Sequence, residues 1–176
     1  MKLLFEERLR AIRGPPSDRL TAIGVKAGMS VADLGAGRGY YALAAAEIVG
    51  SVGELYAVEP DKVRAAMIEG RAAGEGLANL RVIANGAEDL TAIPGSSVDL
   101  AFSMNSMHHF NDRMAVFSEV ARVLKPGSRF YVRDIMKSWV NGHGTRREQV
   151  AEMPGPGFSD RKVRVTRSTL EATFTK

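Results

Sequence analysis

Three glycines at alternate positions, Gly35, Gly37 and Gly39, follow a short apolar run that contains a single carboxylate, Asp33. Such a loop lets the backbone turn sharply and approach a ligand closely, because glycine tolerates backbone angles that a side chain would forbid. A dinucleotide-binding fingerprint, G-x-G-x-x-G, would put its third glycine at position 40, where this chain has Tyr40. Asp33 separates the two chemistries further: a carboxylate two residues before the loop repels a pyrophosphate and attracts an ammonium or sulfonium group. Glu59 closes the next apolar run, 20 residues after Gly39, where an acid can accept hydrogen bonds from both hydroxyls of a ribose. Together these residues describe a nucleoside carrying positive charge.

His108 and His109 are the other candidates for chemistry. Without acids or a third ligand at suitable spacing they make a poor metal site. A histidine at a strand end can serve as a general base or orient a substrate, and it can equally cap the helix that follows.

The elements that must position these residues alternate from Ser30 onward between compact apolar runs and helical patterns, separated by Gly, Pro, Asn or Asp. The pattern predicts strands at 31–34, 54–58, 80–84, 98–103 and 128–134. Helices fall near 39–49, 61–73 and 112–124, with Asp61 and Asn111 or Asp112 as caps and Gly74 as a stop. Short connections and right-handed crossovers make this a doubly wound α/β layer, whose ligands sit at the carboxyl ends of the strands. Upstream, Phe5, Leu9 and Ile12 keep helical spacing up to Gly14-Pro15-Pro16, and a short helix capped by Ser17 runs to Gly24. Downstream, a short helix is expected over 145–153, then a hairpin from the runs 162–166 and 169–173. Lys125-Pro126-Gly127 reads as a turn.

The chain has 176 residues, 24 Lys plus Arg against 20 Asp plus Glu, 45% hydrophobic residues and no cysteine. Disulfides and thiolate metal sites are therefore excluded. No apolar run approaches the roughly 18 residues of a membrane helix, and acids arrive too early for a signal peptide, so a cytoplasmic protein is expected. Residues 1–120 carry 12 basic and 15 acidic side chains, and residues 121–176 carry 12 and 5. The basic last third reads first as a solvated face; an anionic substrate or nucleic acid are the alternatives.

The order of these features resembles the class I S-adenosylmethionine-dependent methyltransferases, in particular the small-molecule branch similar to ubiquinone and menaquinone biosynthesis enzymes. The resemblance spans residues 16–135. It rests on Asp33-Leu34-Gly35-Ala36-Gly37-Arg38-Gly39, Val58-Glu59-Pro60, Asn85-Gly86-Ala87-Glu88-Asp89-Leu90, Met107-His108-His109-Phe110 and the stretch from Glu119 through Gly127. It implies a Rossmann-like, doubly wound, mostly parallel sheet with a C-terminal antiparallel hairpin strand. Residues 1–176 would form one domain, with 1–29 as a substrate lid. The implied cofactor is S-adenosyl-L-methionine, with S-adenosyl-L-homocysteine as product. It would be held by Asp33, Gly35, Ala36, Gly37, Gly39, Tyr41, Glu59, Pro60, Gly86, Ala87, Glu88 and Asn105. Where the family often has an aspartate this chain has Gly86, which leaves the adenine amino group to Asn85, Glu88 or the backbone.

The implied reaction is in-line methyl transfer to a small molecule, possible mainly through alignment, with His108 and His109 as candidate catalytic groups. Phe5, Arg10, Arg13, His108, Arg133, Trp139, His143, Arg146 and Arg147 are candidates for the acceptor wall, and their arginines suit a carboxylate or phosphate. The fourth strand ends in Asn105-Ser106-Met107-His108, unlike the Asn-Pro-Pro-Tyr type that serves planar nitrogens. The absence of cysteine argues against the thiol-dependent arsenite methyltransferases. A nucleic-acid methyltransferase and a non-catalytic binder of the same nucleoside are the alternative readings; a nicotinamide-dependent oxidoreductase is disfavoured by Tyr40 and Asp33. No membrane span is expected. The oligomeric state stays open, with a homodimer as one form.

Overall fold

A computed structural model describes residues 14–136, 144–146 and 157–176. The helical spacing expected over 3–13 and most of the helix expected over 145–153 lie outside these residues. Within them the order is α1 (Pro16–Ile23), β1 (Ser30–Leu34), α2 (Tyr40–Val49), β2 (Glu54–Val58), α3 (Lys62–Gly74), β3 (Leu80–Ile83), β4 (Val98–Met104), a 3₁₀ turn (Met107–His109), α4 (Arg113–Val123), β5 (Leu124–Ile135), β6 (Asp160–Val165) and β7 (Thr169–Thr175). The strands form one sheet in the order β3-β2-β1-β4-β5-β7-β6. From β3 through β5 every pairing is parallel, and β7 runs antiparallel to both β5 and β6. This is the doubly wound, mostly parallel sheet with a C-terminal antiparallel hairpin that the sequence pattern predicts.

Beyond their first residues β1 and β2 are wholly buried, as strands covered on both faces must be. Alternate residues feed two cores. On one face Val31, Leu55, Ala57, Leu100 and Phe102 pack with Leu20 of α1, the alanines of α2 and Ile68 of α3. On the other, Ala32, Leu34, Tyr56, Val58, Phe130 and Phe174 pack with Val116, Phe117, Val120 and Val123 of α4. The small side chains Ala42, Ala45 and Ala46 bring α2 close to the sheet and favour the helix intrinsically. Asp61 caps α3 by accepting from the N–H groups of Val63 and Arg64 at 2.9 and 3.1 Å, and Asp112 caps α4 through Ala115 N–H at 3.0 Å.

Three local expectations change. The residue before α1 is Pro15 rather than Ser17, with proline inside the first turn, where its missing N–H is harmless and its fixed φ suits a helix. The helix expected to 124 stops at Val123, and Lys125-Pro126-Gly127 belongs to β5 rather than to a turn. The pairing there jumps from Val98↔Leu124 to Leu100↔Arg129. Gly127, at φ +77°, accommodates the irregularity while its N–H bonds the carbonyl of Lys176 at 3.0 Å. Finally, Thr145 is not helical: it forms an isolated parallel bridge with Met136. Among the described residues no helix is long and apolar enough to cross a membrane.

Candidate functional site

β1 lies between β2 and β4, where the direction of strand succession reverses, so the loops leaving its neighbours diverge and open a crevice. A cavity of about 590 Å³ occupies that place. Its wall contains Asp33, Gly35, Ala36, Gly37, Tyr41, Glu59, Pro60, Gly86, Ala87, Glu88 and Asn105, all residues marked in the sequence. Gly39 is not in the wall. It precedes α2 at φ +84°, and a Cβ there would lie 3.2 Å from Ile68, so its glycine serves helix-to-helix closeness.

Gly35 and Gly37 do different work. Their left-handed φ values are +78° and +62°. The N–H groups of Gly35 and Ala36 bond the carbonyl of Val58 at 2.9 and 3.0 Å, folding the loop over β2. A Cβ on Gly35 would meet Ser106 Cβ at 2.5 Å, and Ser106 Oγ donates to the Gly35 carbonyl at 2.8 Å. The loop is thereby locked against the segment after β4. A Cβ on Gly37 would meet no protein atom within 4 Å, which leaves its surroundings to a ligand.

The two acids of the site differ in their partners. Glu59, 3% exposed, accepts from Gly37 N–H at 2.8 Å and Asp61 N–H at 3.1 Å, and lies 3.7 Å from the Arg64 guanidinium. Asp33, 2% exposed, stands in the cavity wall with no hydrogen bond or ion pair to any described residue. Burial first and the Glu59 charge second push its carboxyl up to about 8. An unpaired carboxyl in such a place suits a cation.

Glu88 faces the cavity while its Oε1 accepts from the N–H of Asn111 at 3.1 Å and of Asp112 at 3.4 Å. Asn85 turns its amide to Asp89 at 3.2 Å and does not line the cavity, so on the Gly86 side the wall is made by Gly86, Ala87 and Glu88. Asn105 directly follows β4 at φ +58°, with its N–H on the Arg133 carbonyl at 2.7 Å. Arg133 Nη1 donates to Asn105 Oδ1 at 3.2 Å, and its Nε lies 3.7 Å from Glu171. A guanidinium can only donate, so this contact determines which end of the amide faces it.

The two histidines part company. His109 is exposed and lines the cavity, whereas the His108 side chain is 5% exposed and does not. His108 is held through its N–H and Nδ1 by Asp134, at 2.9 and 2.8 Å, and its ring centroid is 4.0 Å from that of His109. Asp134 is fully buried and also accepts from Thr145 Oγ1 at 2.7 Å, tying the ends of β4 and β5 to the segment around residue 145. Of the other acceptor-wall candidates, Arg133 and Arg146 are described; Phe5, Arg10, Arg13, Trp139, His143 and Arg147 lie outside the described residues. Among the described residues no cluster of His, Asp or Glu is arranged to hold a metal ion.

Sequence reasoning did not mark Arg38, Arg64, Met104, Phe110 or Asn111, all of which line the cavity. Only Arg64 had a usable signal: it stands three residues after the Asp61 cap, on the first turn of the helix that follows Glu59.

Comparison with known proteins agrees with this geometry. The family model described as a methyltransferase domain matches residues 32–132. The ubiquinone/menaquinone biosynthesis C-methyltransferase UbiE of Chromobacterium violaceum is 32% identical over 123 residues, 68% of this chain and 48% of the relative. An uncharacterized methyltransferase of Bacillus subtilis, YcgJ, is 36% identical over 104 residues, 59% of this chain and 40% of the relative. The chain thus spans about half the length, or less, of these curated relatives. A crystal structure of a SAM-dependent methyltransferase from Aquifex aeolicus superposes with a TM-score of 0.75 at 22% identity, covering 91% of this chain and 88% of that one, and so shares the fold.

Proposed function

The chain belongs to the methyltransferase-domain family, and from that premise we propose that it transfers a methyl group from S-adenosyl-L-methionine to a small-molecule acceptor. The observation that carries this reading is the contrast inside one cavity between Asp33, a buried carboxyl without a partner among the described residues, and Glu59, a buried carboxylate braced at the glycine loop. In this reading Asp33 faces the positive charge of the donor and Glu59 the ribose hydroxyls. Gly37 gives the ligand backbone access, while Gly86, Ala87 and Glu88 border the adenine. The residues present fit such a ligand, because the cavity offers space beside Gly37 and a buried carboxyl that no described cation pairs.

When bound, the donor supplies a methyl on a positively charged sulfur, a leaving group that is already activated. The acceptor atom forms a bond to that carbon as the carbon–sulfur bond breaks, and the electron pair stays on sulfur. Alignment in a near-attack geometry can supply about 7–11 kcal/mol, and a positioned base adds about 10²–10⁴-fold. His109 is the histidine we place beside the acceptor, to receive its proton on a ring nitrogen. His108, fixed by Asp134, stands behind it as its support. Arg133, which donates to Asn105 of the cavity wall, is the arginine we place towards an acidic group of the acceptor.

Thermal unfolding with S-adenosylmethionine, S-adenosylhomocysteine and NAD tests the reading. A ligand at 100 times its dissociation constant should stabilise the chain by about 2.7 kcal/mol. The two sulfur nucleosides should produce that shift. A stronger response to NAD, or none to either sulfur nucleoside, would overturn the assignment.

A further inference from the structure

Asp33 has a position that an ordinary ion-pairing carboxylate does not. It sits on the central strand β1, opposite Ala57 of β2 and Phe102 of β4, neither of which can donate through its side chain. It is almost wholly buried and faces the cavity without a hydrogen bond or ion pair to any described residue. The charged and titratable groups that share the cavity come from every surrounding element: Arg38, Tyr40 and Tyr41 from the glycine loop and α2, Glu59 and Arg64 from β2 and α3, Glu88 after β3 and His109 after β4. Glu59, the acid whose charge acts on Asp33, is already an acceptor for two backbone N–H groups and is paired with Arg64. Glu88 likewise accepts from Asn111 and Asp112. Asp33 alone among these carboxyls has no described residue that stabilises its charge.

We propose that the cationic ligand enters this cavity by displacing a proton from Asp33, so that binding and proton release are one event. This rests on the S-adenosylmethionine reading above. In the ligand-free protein the cheaper form of a buried, unpaired carboxyl beside a second acid is the neutral one. A ligand cation reverses the balance: the O–H bond breaks, the proton leaves to solvent and the carboxylate pairs with the cation. The charge of the site is the same before and after, so no net charge is transferred into the low-dielectric interior. The site therefore distinguishes a cation-bearing nucleoside from a neutral one by the proton it must lose, and donor affinity falls as the medium becomes more acid.

Isothermal titration calorimetry on the whole chain decides the matter. With the Asp33 carboxyl at about 8, S-adenosylmethionine should release about 0.9 proton per molecule bound at pH 7, read as a difference in heat between Tris and phosphate buffers. Its dissociation constant should rise about ninefold from pH 7 to pH 6, a window in which the ligand's own amino group stays mostly protonated. Adenosine, which carries no cation, should bind with no proton release, and its binding also reports that a variant retains the fold. Asp33→Asn should bind S-adenosylmethionine more weakly, without the proton and without the pH dependence. Heat that is identical in the two buffers while S-adenosylmethionine still binds would overturn the inference and leave the functional reading standing, as would undiminished release from Asp33→Asn. Failure of S-adenosylmethionine to bind at any pH would instead remove the reading beneath it.

Discussion

The two halves of the sheet are built for different ends. In β3-β2-β1-β4 the pairing is parallel, the buried side chains are mainly aliphatic or alanine with Tyr56 and Phe102 as aromatics, and the carboxyl ends carry the glycine loop, Asp33, Glu59 and Asn105. In β5-β7-β6 the pairing is antiparallel after β5. The packing is aromatic, with Phe117 at 5.6 Å from Phe130, 4.8 Å from Phe174 and 5.8 Å from Phe158 between ring centroids. The outer strand β6 is exposed along its whole length and bears Arg161, Lys162 and Arg164, charges that discourage edge-to-edge pairing. The basic last third of the chain thus resolves in part into an edge strand. Elsewhere it forms ion pairs such as Lys125–Asp99 and Arg122–Glu119. One half holds, at the expense of stability, a buried carboxyl that no described residue pairs; the other supplies the interlocking rings that let the molecule tolerate it.

The sharpest way to break this comparison is Phe174→Ala. The ring is fully buried at the centre of the aromatic cluster, and its loss should cost about 3–5 kcal/mol in chemical denaturation while the folded fraction still binds S-adenosylmethionine. A cost below about 1 kcal/mol would show that the aromatic half does not carry the stability assigned to it.

Next in size is Gly35→Ala. The left-handed backbone and the 2.5 Å approach to Ser106 Cβ together predict a loss of about 2–4 kcal/mol. Gly37→Ala, with open space around its Cβ, should lose only about 1–2 kcal/mol and show its main defect in ligand binding. Equal destabilisation by the two would mean that the loop is not divided between locking and access.

The remaining effect has the opposite sign. Because the Asp33 carboxyl is raised from 3.8 to about 8, the folded chain holds a proton that the unfolded chain has lost throughout that interval. Its contribution to stability is therefore complete below about pH 4 and declines as pH rises to about 8. Asp33→Asn removes that decline, so at pH 8 the ligand-free variant should be more stable than the parent by roughly 2 kcal/mol, an order-of-magnitude figure for relief of an uncompensated buried charge. A variant less stable than the parent at pH 8 would show that Asp33 has a stabilising partner.

The glycine loop and Glu59 were legible in the sequence because their information is local. A strand, three alternating glycines and an acid 20 residues on define a crevice through backbone geometry alone. The caps Asp61 and Asp112 were legible for the same reason. The stretch at 125–127 misled because Lys-Pro-Gly is good turn chemistry, yet pairing with β4 and the bond from Gly127 to Lys176 draw it into β5. Met104 and Phe110 were not marked because their side chains reach the cavity from elements whose strand or turn character says nothing about ligand contact, whereas the position of Arg64 after the Asp61 cap was a signal the sequence offered.

Composition and periodicity determined the order of strands and helices, and the spacing of glycines and acids determined where a ligand would approach. Those properties follow from backbone sterics and burial acting over a few residues at a time. Only tertiary structure decided which of two adjacent histidines faces the cavity, since Asp134, 26 residues from His108, holds one ring back and leaves its neighbour forward. Only tertiary structure, too, gave Glu59 its partners and left Asp33 with none among the described residues. Desolvation and pairing depend on every element that closes around a group, and no stretch of the chain carries that information by itself.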